Sequence, residues 1–350
     1  MPPRDDLGYP VPVSRPAGRV VSLVPSLTES VAMSRPEALV GATDWCTHPY
    51  GLRVRRVRGT KNPDRAAIAG LVPDLVLANQ EENRRVDVER LRATGIPVWV
   101  TVIRTLDEAF ASLRRMFREA LGWPEPAWLA DAERAWSSPA PGPRLRAVIP
   151  VWRDPWMVVG PGTFTGDVAA RLGLDNVYGT GVDRYPRVSL DDVAARHPDI
   201  IVLPDEPYQF SESDGPEMFT AQRVALVEGR SLTWYGPSLT TARSLLVSQL
   251  AAARPPLSLC LDCPARSVVG VVDDQGVGGE GQLDLEVGTL PRGRADRDGA
   301  AVRGDEPSHD RQPEPRPPGS PVARRVRPVE PLEDPLRLIG AHPRPVILDI

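Results

Sequence analysis

Lysine is almost missing from this chain of 350 residues: Lys61 stands alone against 41 arginines. Asparagine is nearly as scarce, and three of its four residues (Asn62, Asn79 and Asn83) fall in the same short stretch as that lysine. Heavy use of Ala, Arg, Gly and Pro suggests a coding bias that depletes Lys and Asn generally. Where both persist together, a specific polar role competes with chance survival at the surface, because Arg does not always replace a compact ammonium. Cysteine is scarce too. Three residues cannot complete a disulfide framework, which fits a reducing compartment. A net charge of -4 excludes the basic footprint of a nucleic-acid binder. There is no apolar run long enough to span a bilayer. Residues Met1 to Asp6 lack the apolar stretch of a secretory signal, and no lipidation cysteine follows one. The expectation is a cytoplasmic monomer, or an exported one if translation starts elsewhere.

What is present is an alternation of strands and helices between residues 19 and 254. Val20 to Val24, Leu39 to Ala42, Leu75 to Ala78 and Val98 to Val102 read as buried strands. Ser26 and Glu29 have capping-box spacing at the first helix. Val86 to Ala93 reads as a helix closed by Gly95. Leu106 to Leu121 is amphipathic, with Leu106, Ala109, Phe110, Leu113, Phe117 and Leu121 on one face. Pro124 and Pro126 interrupt it, and Trp128 to Trp136 resumes it. A second block follows, with a strand from Leu145 to Val151, a helix from Asp167 to Leu172, a capped helix from Ser189 to Arg196 and a strand from Ile200 to Leu203. Two local echoes, Pro73-Asp74-Leu75-Val76 and Pro198-Asp199-Ile200-Ile201, each run from a helix end into a strand and then an acidic loop.

This pattern predicts an α/β protein of two Rossmann-like lobes with parallel-rich sheets, joined by a long helical connector. A ligand cleft lies between the lobes, at the carboxyl ends of the strands. The expected bounds are a flexible N-terminus over 1–18, a first lobe over 19–104, a connector over 105–143 and a second lobe over 144–254. From 255 to 350 there are 15 prolines and 11 glycines in 96 residues. Such text cannot bury enough surface to offset its ordering entropy, so a disordered tail is expected there. Cys260 and Cys263 have CxxC spacing but no second pair, a weak metal signal.

The stretch Arg19 to Glu29, with the paired Pro-Asp strand entries, is similar to the iron-siderophore and cobalamin periplasmic-binding family, the helical-backbone class. The likeness covers about residues 19 to 254. A closer likeness is to helical-backbone metal receptors, through Trp45 to Pro49, Gly59 to Pro63, Glu81-Glu82-Asn83, Trp152 to Trp156 and Trp234 to Pro237. The resemblance implies two rigid lobes, small lobe motion, and a metal chelate, haem or corrinoid held between them as bound ligand, with no catalytic cofactor. Transporter-coupled members dock on a permease through one acid per lobe, and the matching positions here hold Ala66 and Gly236. An aromatic that caps cobalamin would fall near Thr60.

The candidate ligand groups are Ser26, Trp45, His48, Lys61, Asn62, Glu81, Glu82, Asn83, Trp152, Arg153, Trp156, Thr163, Glu206, Tyr208 and Tyr235. His48 is also a candidate metal donor, whereas Cys46 reads more simply as a buried thiol. Trp152 and Trp156 around Arg153 offer flat apolar walls with a fixed cation. Helix capping explains Thr163 or Thr165 equally well. The loop acids read either as ligand groups or as a solvated helix start, and the arginines at 53, 55, 56 and 58 read as a solvated strand face. Three functions follow: a non-enzymatic receptor, the binding component of an ABC importer, and a cofactor-modifying enzyme. Against the last, no Ser/His/Asp order or phosphate loop is present, and His48 and His197 are the only histidines between 19 and 254.

Overall fold

A computed structural model describes residues 1–140 and 142–256. The tail expected from 255 and the Cys260/Cys263 pair therefore lie, but for two residues, outside the described residues. In the first lobe, β1 (Val20–Ser22), β2 (Leu39–Ala42), β3 (Arg55–Arg56), β6 (Leu75–Asn79) and β7 (Val98–Thr101) form a parallel sheet in the order β3-β2-β1-β6-β7. Strands β1, β6 and β7 are buried at every position, as a parallel sheet covered on both faces requires. A small hairpin, β4 (Arg58–Gly59) with β5 (Asn62–Pro63), projects after β3. Helices α1 (Pro25–Ser34), α2 (Arg65–Gly70) and α3 (Arg85–Ala93) cover the sheet, and Val21, Ile68, Val76, Leu91 and Val98 share its core.

The connector is α4 (Leu106–Arg115), which continues as a π-helical segment, Met116–Leu121, and then α5 (Ala127–Trp136). All six residues of the apolar stripe read from the sequence are buried. Indole donors tie the connector to both lobes: Trp128 Nε1 reaches Ser34 Oγ at 3.1 Å, and Trp136 Nε1 reaches the Leu239 carbonyl at 3.0 Å.

The second lobe has β8 (Leu145–Val148), a hairpin of β9 (Pro150–Trp152) and β10 (Met157–Val158), β11 (Leu174–Asn176), β12 (Ile200–Pro204) and β13 (Arg223–Val227). Its parallel sheet runs β11-β8-β12-β13. Helices α6 (Phe164–Arg171), α7 (Leu190–Ala195), α8 (Gly229–Thr233) and α9 (Leu239–Ala251) complete it. Among the described residues no helix is long and apolar enough to cross a membrane.

Two local expectations are corrected. The capping box at Ser26 and Glu29 does not form: Val24 is the N-cap without a side-chain bond, and Pro25 occupies the first turn. The helix starts at Pro25, so Ser26 and Glu29 lie inside it and out of capping-box register, and the Glu29 carboxylate pairs with Arg230 instead. Residues 1–18, expected to be flexible, pack onto the first lobe and connector. Asp5 is buried and accepts from Arg92 Nη2 at 2.5 Å, Asp6 accepts from Arg115 Nη1 at 2.6 Å, and Val11 and Ala17 are fully enclosed. Two paired carboxylates and a few apolar contacts outweigh what composition suggests for a proline-rich start.

The two sequence echoes are structural twins. Asp74 Oδ2 accepts the Gly18 and Arg19 backbone N–H groups at 2.8 Å each, and Asp199 Oδ2 accepts that of Arg146 at 2.7 Å. Arg19 and Arg146 return the bond to the carbonyls that close the preceding helix, at Leu71 and Arg196. The turn places Val72 at φ 45° and His197 at φ 48°. A β-branched residue in the left-handed region costs about 1–2 kcal/mol. Val72 is 73% exposed, so it has little packing to lose. Val72→Gly is expected to raise stability by about 0.5–1 kcal/mol, the relief exceeding the added unfolded-chain entropy. Urea unfolding checks this, and a loss of stability would contradict it.

Candidate functional site

Parallel strands bring their carboxyl-end loops to one edge of each sheet, and these two edges meet across a seam. From the first lobe come the loop after β2, the β4–β5 hairpin and the loop after β6. The second lobe contributes residues 184–185, the loop after β12 and the segment from α8 to Pro237. The loop after β6 is knitted from its own asparagines. Asn79 Oδ1 accepts from the Glu81 N–H at 2.8 Å, and Asn83 Oδ1 accepts from the Asn79 N–H at 2.9 Å. Asn83 Nδ2 then reaches the Leu23 and Thr60 carbonyls at 3.2 and 3.0 Å. Lys61 Nζ donates to the Glu81 carbonyl at 2.6 Å. The rare polar residues of the sequence therefore brace the hairpin against the loop, which presents Glu81 and Glu82 outward.

Four contacts cross the seam, three to the loop after β6 and one to α1. Arg184 Nη2 donates to Glu81 Oε2 at 2.9 Å, and the Tyr185 hydroxyl donates to Glu81 Oε1. The Tyr235 hydroxyl donates to Glu82 Oε1 at 3.0 Å. Arg230 pairs with the buried Glu29. Burial pushes the Glu82 carboxyl up to about 7; Tyr235 and Lys61 pull it back, while Glu81 and Glu206 push it further. Burial also lowers the Lys61 ammonium, against the pull of Glu82 and Glu81, and raises the Glu206 carboxyl, which accepts from Thr233 Oγ1 at 3.3 Å. Tyr235 is held well above its ordinary value by burial and by Glu82, so it stays a donor. Ser26 lies beneath this seam, its carbonyl 3.0 Å from where a Cβ on Gly236 would sit.

An aromatic lip borders the seam. Trp45 is 66% exposed and Tyr50 85% exposed. The His48 ring lies 4.5 Å from that of Tyr50 and meets Trp234 edge-on at 5.4 Å. Burial and the nearby Arg230 lower the His48 pKa, which favours a neutral imidazole. Among the described residues no group of three His, Cys, Asp or Glu side chains is placed to hold a metal ion, so His48 would be a single donor. Cys46 is buried between Thr28 and Thr43, and burial raises its thiol pKa.

Several candidates sit elsewhere or are committed. Arg153, expected to offer a fixed cation to a ligand, pairs with Asp214 and with Glu217 at 2.7 Å inside its own lobe. Trp156 stacks on Phe210 and packs on Phe219 in the second-lobe core, and Trp152 meets Tyr208 edge-on at 5.6 Å. The Tyr208 hydroxyl donates to Asp214 at 2.8 Å. Trp152, Arg153 and Trp156 thus remain half-buried, with their rings and charge already partnered inside the second lobe. Thr163 caps α6, accepting from the Gly166 N–H at 3.2 Å. Asn62 is an exposed hairpin residue and Asn83 a brace. Sequence reasoning missed Arg184, Tyr185 and Arg230, and it used Glu29 as a cap. Nothing marks two arginines among 41, but Tyr185 is one of only six tyrosines and was open to notice.

Two α/β lobes, a helical connector and a seam of carboxyl-end loops give the two-lobed, helical-backbone fold seen in periplasmic binding proteins. Comparisons agree. The chain is 26% identical over 250 residues to the vitamin B12-binding protein of Pectobacterium carotovorum subsp. carotovorum, a match covering 68% of this chain and 90% of that one. Among solved structures it resembles the periplasmic vitamin B12 binding protein BtuF of Vibrio cholerae, with a TM-score of 0.54 and 20% identity over 68% of this chain and 98% of that one. It also resembles the periplasmic heme-binding protein BhuT in complex with two hemes, with a TM-score of 0.56 and 22% identity over 67% and 98%. A third is nickel-bound Ceue of Helicobacter pylori, with a TM-score of 0.59 and 17% identity over 71% and 88%. No protein-family model matches the chain. The resemblance to the iron-siderophore and cobalamin binding class holds, and these relatives are named or described for what they bind, not for a reaction. The cytoplasmic expectation is overturned: BtuF and BhuT, which share the fold, are periplasmic. That expectation rested on the first few residues and on the cysteine count, and neither marks the location of a chain with this fold.

Proposed function

We propose that this chain is a non-enzymatic receptor that clamps a metal-bearing macrocycle or chelate, a corrinoid first, between its two lobes. The observation that carries the reading is the exposed aromatic lip of Trp45 and Tyr50 beside a seam of hydrogen-bonding groups from both lobes. Flat aromatic faces contribute apolar burial to a ring system, at about 25 cal/mol per Å². The charged seam fixes orientation, and the partly exposed Glu206 and His48 add polar contacts. The 26% identity to a vitamin B12-binding protein supports the corrinoid as first choice.

Service as the binding component of an ABC importer is a second reading, supported by the periplasmic setting of BtuF and BhuT. Docking would then use a surface other than the two expected positions. Ala66 carries no charge, and Gly236 is buried against the Ser26 carbonyl and Ser30 Oγ.

The test is titration of the full chain with cyanocobalamin, hemin and a ferric trihydroxamate, followed by tryptophan fluorescence and calorimetry. One of the three is expected to bind at 1:1 with a dissociation constant of about 1 μM or tighter, roughly 8 kcal/mol. Trp45→Ala is expected to weaken it about tenfold, about 1.4 kcal/mol. No saturable binding of any of the three would sink the reading.

A further inference from the structure

The bonds around Arg184 are organised in a way that an ordinary lobe-to-lobe ion pair does not require. Its Nε and Nη2 both donate to the Gly162 carbonyl, at 3.1 and 2.8 Å, so the guanidinium is positioned from within the second lobe. Its own carbonyl accepts from the Gly160 N–H at 2.7 Å. Gly160 has no room for a side chain, since a Cβ there would lie 2.3 Å from the Asp183 carbonyl oxygen. The loop is thereby fixed, and Tyr185 follows directly. Arg184 and Tyr185 then bind opposite oxygens of one carboxylate, Oε2 and Oε1 of Glu81. Two charge-assisted donors set for one carboxylate make a recognition geometry.

On the other side, the Glu81 backbone is held without help from its carboxylate. Its N–H goes to Asn79 and its carbonyl takes Lys61. The side chain can leave the pair without dismantling the loop. The carboxylate and the guanidinium are each about a third exposed, at 32% and 35%, so solutes reach them. A small polar recess bordered by Gln80, Val102, Ile103 and Arg104 opens beside them.

We infer that Arg184 and Tyr185 form a carboxylate-recognition pair of the cleft, that Glu81 fills it as an internal competitor, and that a ligand carboxylate displaces Glu81 on binding. This rests on the reading of the seam as a ligand cleft and names the class of group that the cleft selects. Exchanging one carboxylate for another conserves the hydrogen bonds. The tethered Glu81 therefore lowers apparent affinity by holding the binding-competent state to a fraction of the population. The ligands favoured are chelates or macrocycles with a peripheral carboxylate over their amide counterparts.

Two measurements test this on the full chain. In the first, thermal unfolding of Glu81→Ala is followed with acetate or acetamide added at matched ionic strength. Acetate is expected to raise the midpoint saturably by a few degrees, as a ligand of the native state does. The wild type and the Glu81→Ala/Arg184→Ala double variant are expected not to respond. Equal responses to acetate and acetamide would overturn the pair. In the second, Glu81→Gln and the wild type are titrated with cyanocobalamin and with a cyanocobalamin monocarboxylate, which differ in one peripheral amide. The variant is expected to bind the carboxylate about tenfold tighter and the amide within about twofold. Weakening of both probes together would mean that Glu81 itself holds the ligand, and the inference fails. An acetate response without binding of either corrinoid upholds the pair and overturns the corrinoid assignment.

Discussion

Arg230→Ala lowers the free energy of unfolding by about 3–4 kcal/mol at neutral pH, measured by urea denaturation. The expectation follows from where its partner sits. Glu29 is on α1 with a side chain only 5% exposed, while Arg230 approaches from the other lobe with its side chain 24% exposed. Breaking a buried pair from one side strands a charge in a poor solvent, which costs more than the pair contributed. Burial already raises the Glu29 pKa despite the opposing Arg230 bond and charge. Once Arg230 is gone the carboxyl takes up a proton, which limits the loss. Arg230 also lies 5.7 Å over the Trp234 ring, so some packing goes with it. Adding Glu29→Gln to the variant is expected to recover about half of the deficit, because a neutral amide needs no counter-charge. A loss below about 1 kcal/mol for Arg230→Ala would mean that the pair behaves like a solvent-screened surface bridge.

The second large effect is pH dependence at Glu82. The carboxyl is raised from its ordinary value to about 7 by burial against Tyr235, with Lys61 opposing and with Glu81 and Glu206 adding to the rise. A group raised in the folded state contributes stability that is complete below its unfolded value, near 4.5. That contribution is lost as pH rises through the folded value, near 7. The interval corresponds to at most ~3 kcal/mol, and partial exposure of the residue reduces it to about 2 kcal/mol. Stability is therefore expected to fall between pH 5 and pH 8. Glu82→Gln, which cannot ionise, should remove that part of the slope and be the more stable protein at pH 8. Urea midpoints across this range decide it, and parallel slopes for the two proteins would contradict the assignment.

Both effects concern side chains whose partners are far away in sequence, and this separates what was legible from what was not. The apolar strands, the amphipathic stripe of α4 and the Pro-Asp echoes are local patterns, and the lobes and connector follow from them. Capping is local as well, and Ser189 caps α7 as its spacing implies. Glu29 fits a local motif equally well, yet the helix starts earlier, at Pro25, which takes Ser26 and Glu29 out of capping register, and the carboxylate went to Arg230. The Trp152/Arg153/Trp156 cluster shows that neighbours in sequence find distant partners too. Clustering in sequence looked like a ligand wall, but Asp214 and Glu217 neutralise the cation and Phe210 and Phe219 take up Trp156.

The sequence by itself determined the alternation of elements, the two-lobed class and the loops at the strand ends, including the loop that carries Glu81 and Glu82. Those features depend on periodicity and turn chemistry within a dozen residues. Only the tertiary structure decided that Lys61 and the asparagines brace that loop, that Arg184, Tyr185 and Tyr235 meet it from the other lobe, and that Arg230 meets Glu29 on α1. Ion pairs and hydrogen bonds across 100 to 200 residues leave no local pattern, because their energy depends on distance and desolvation, which exist only once the lobes have folded and met.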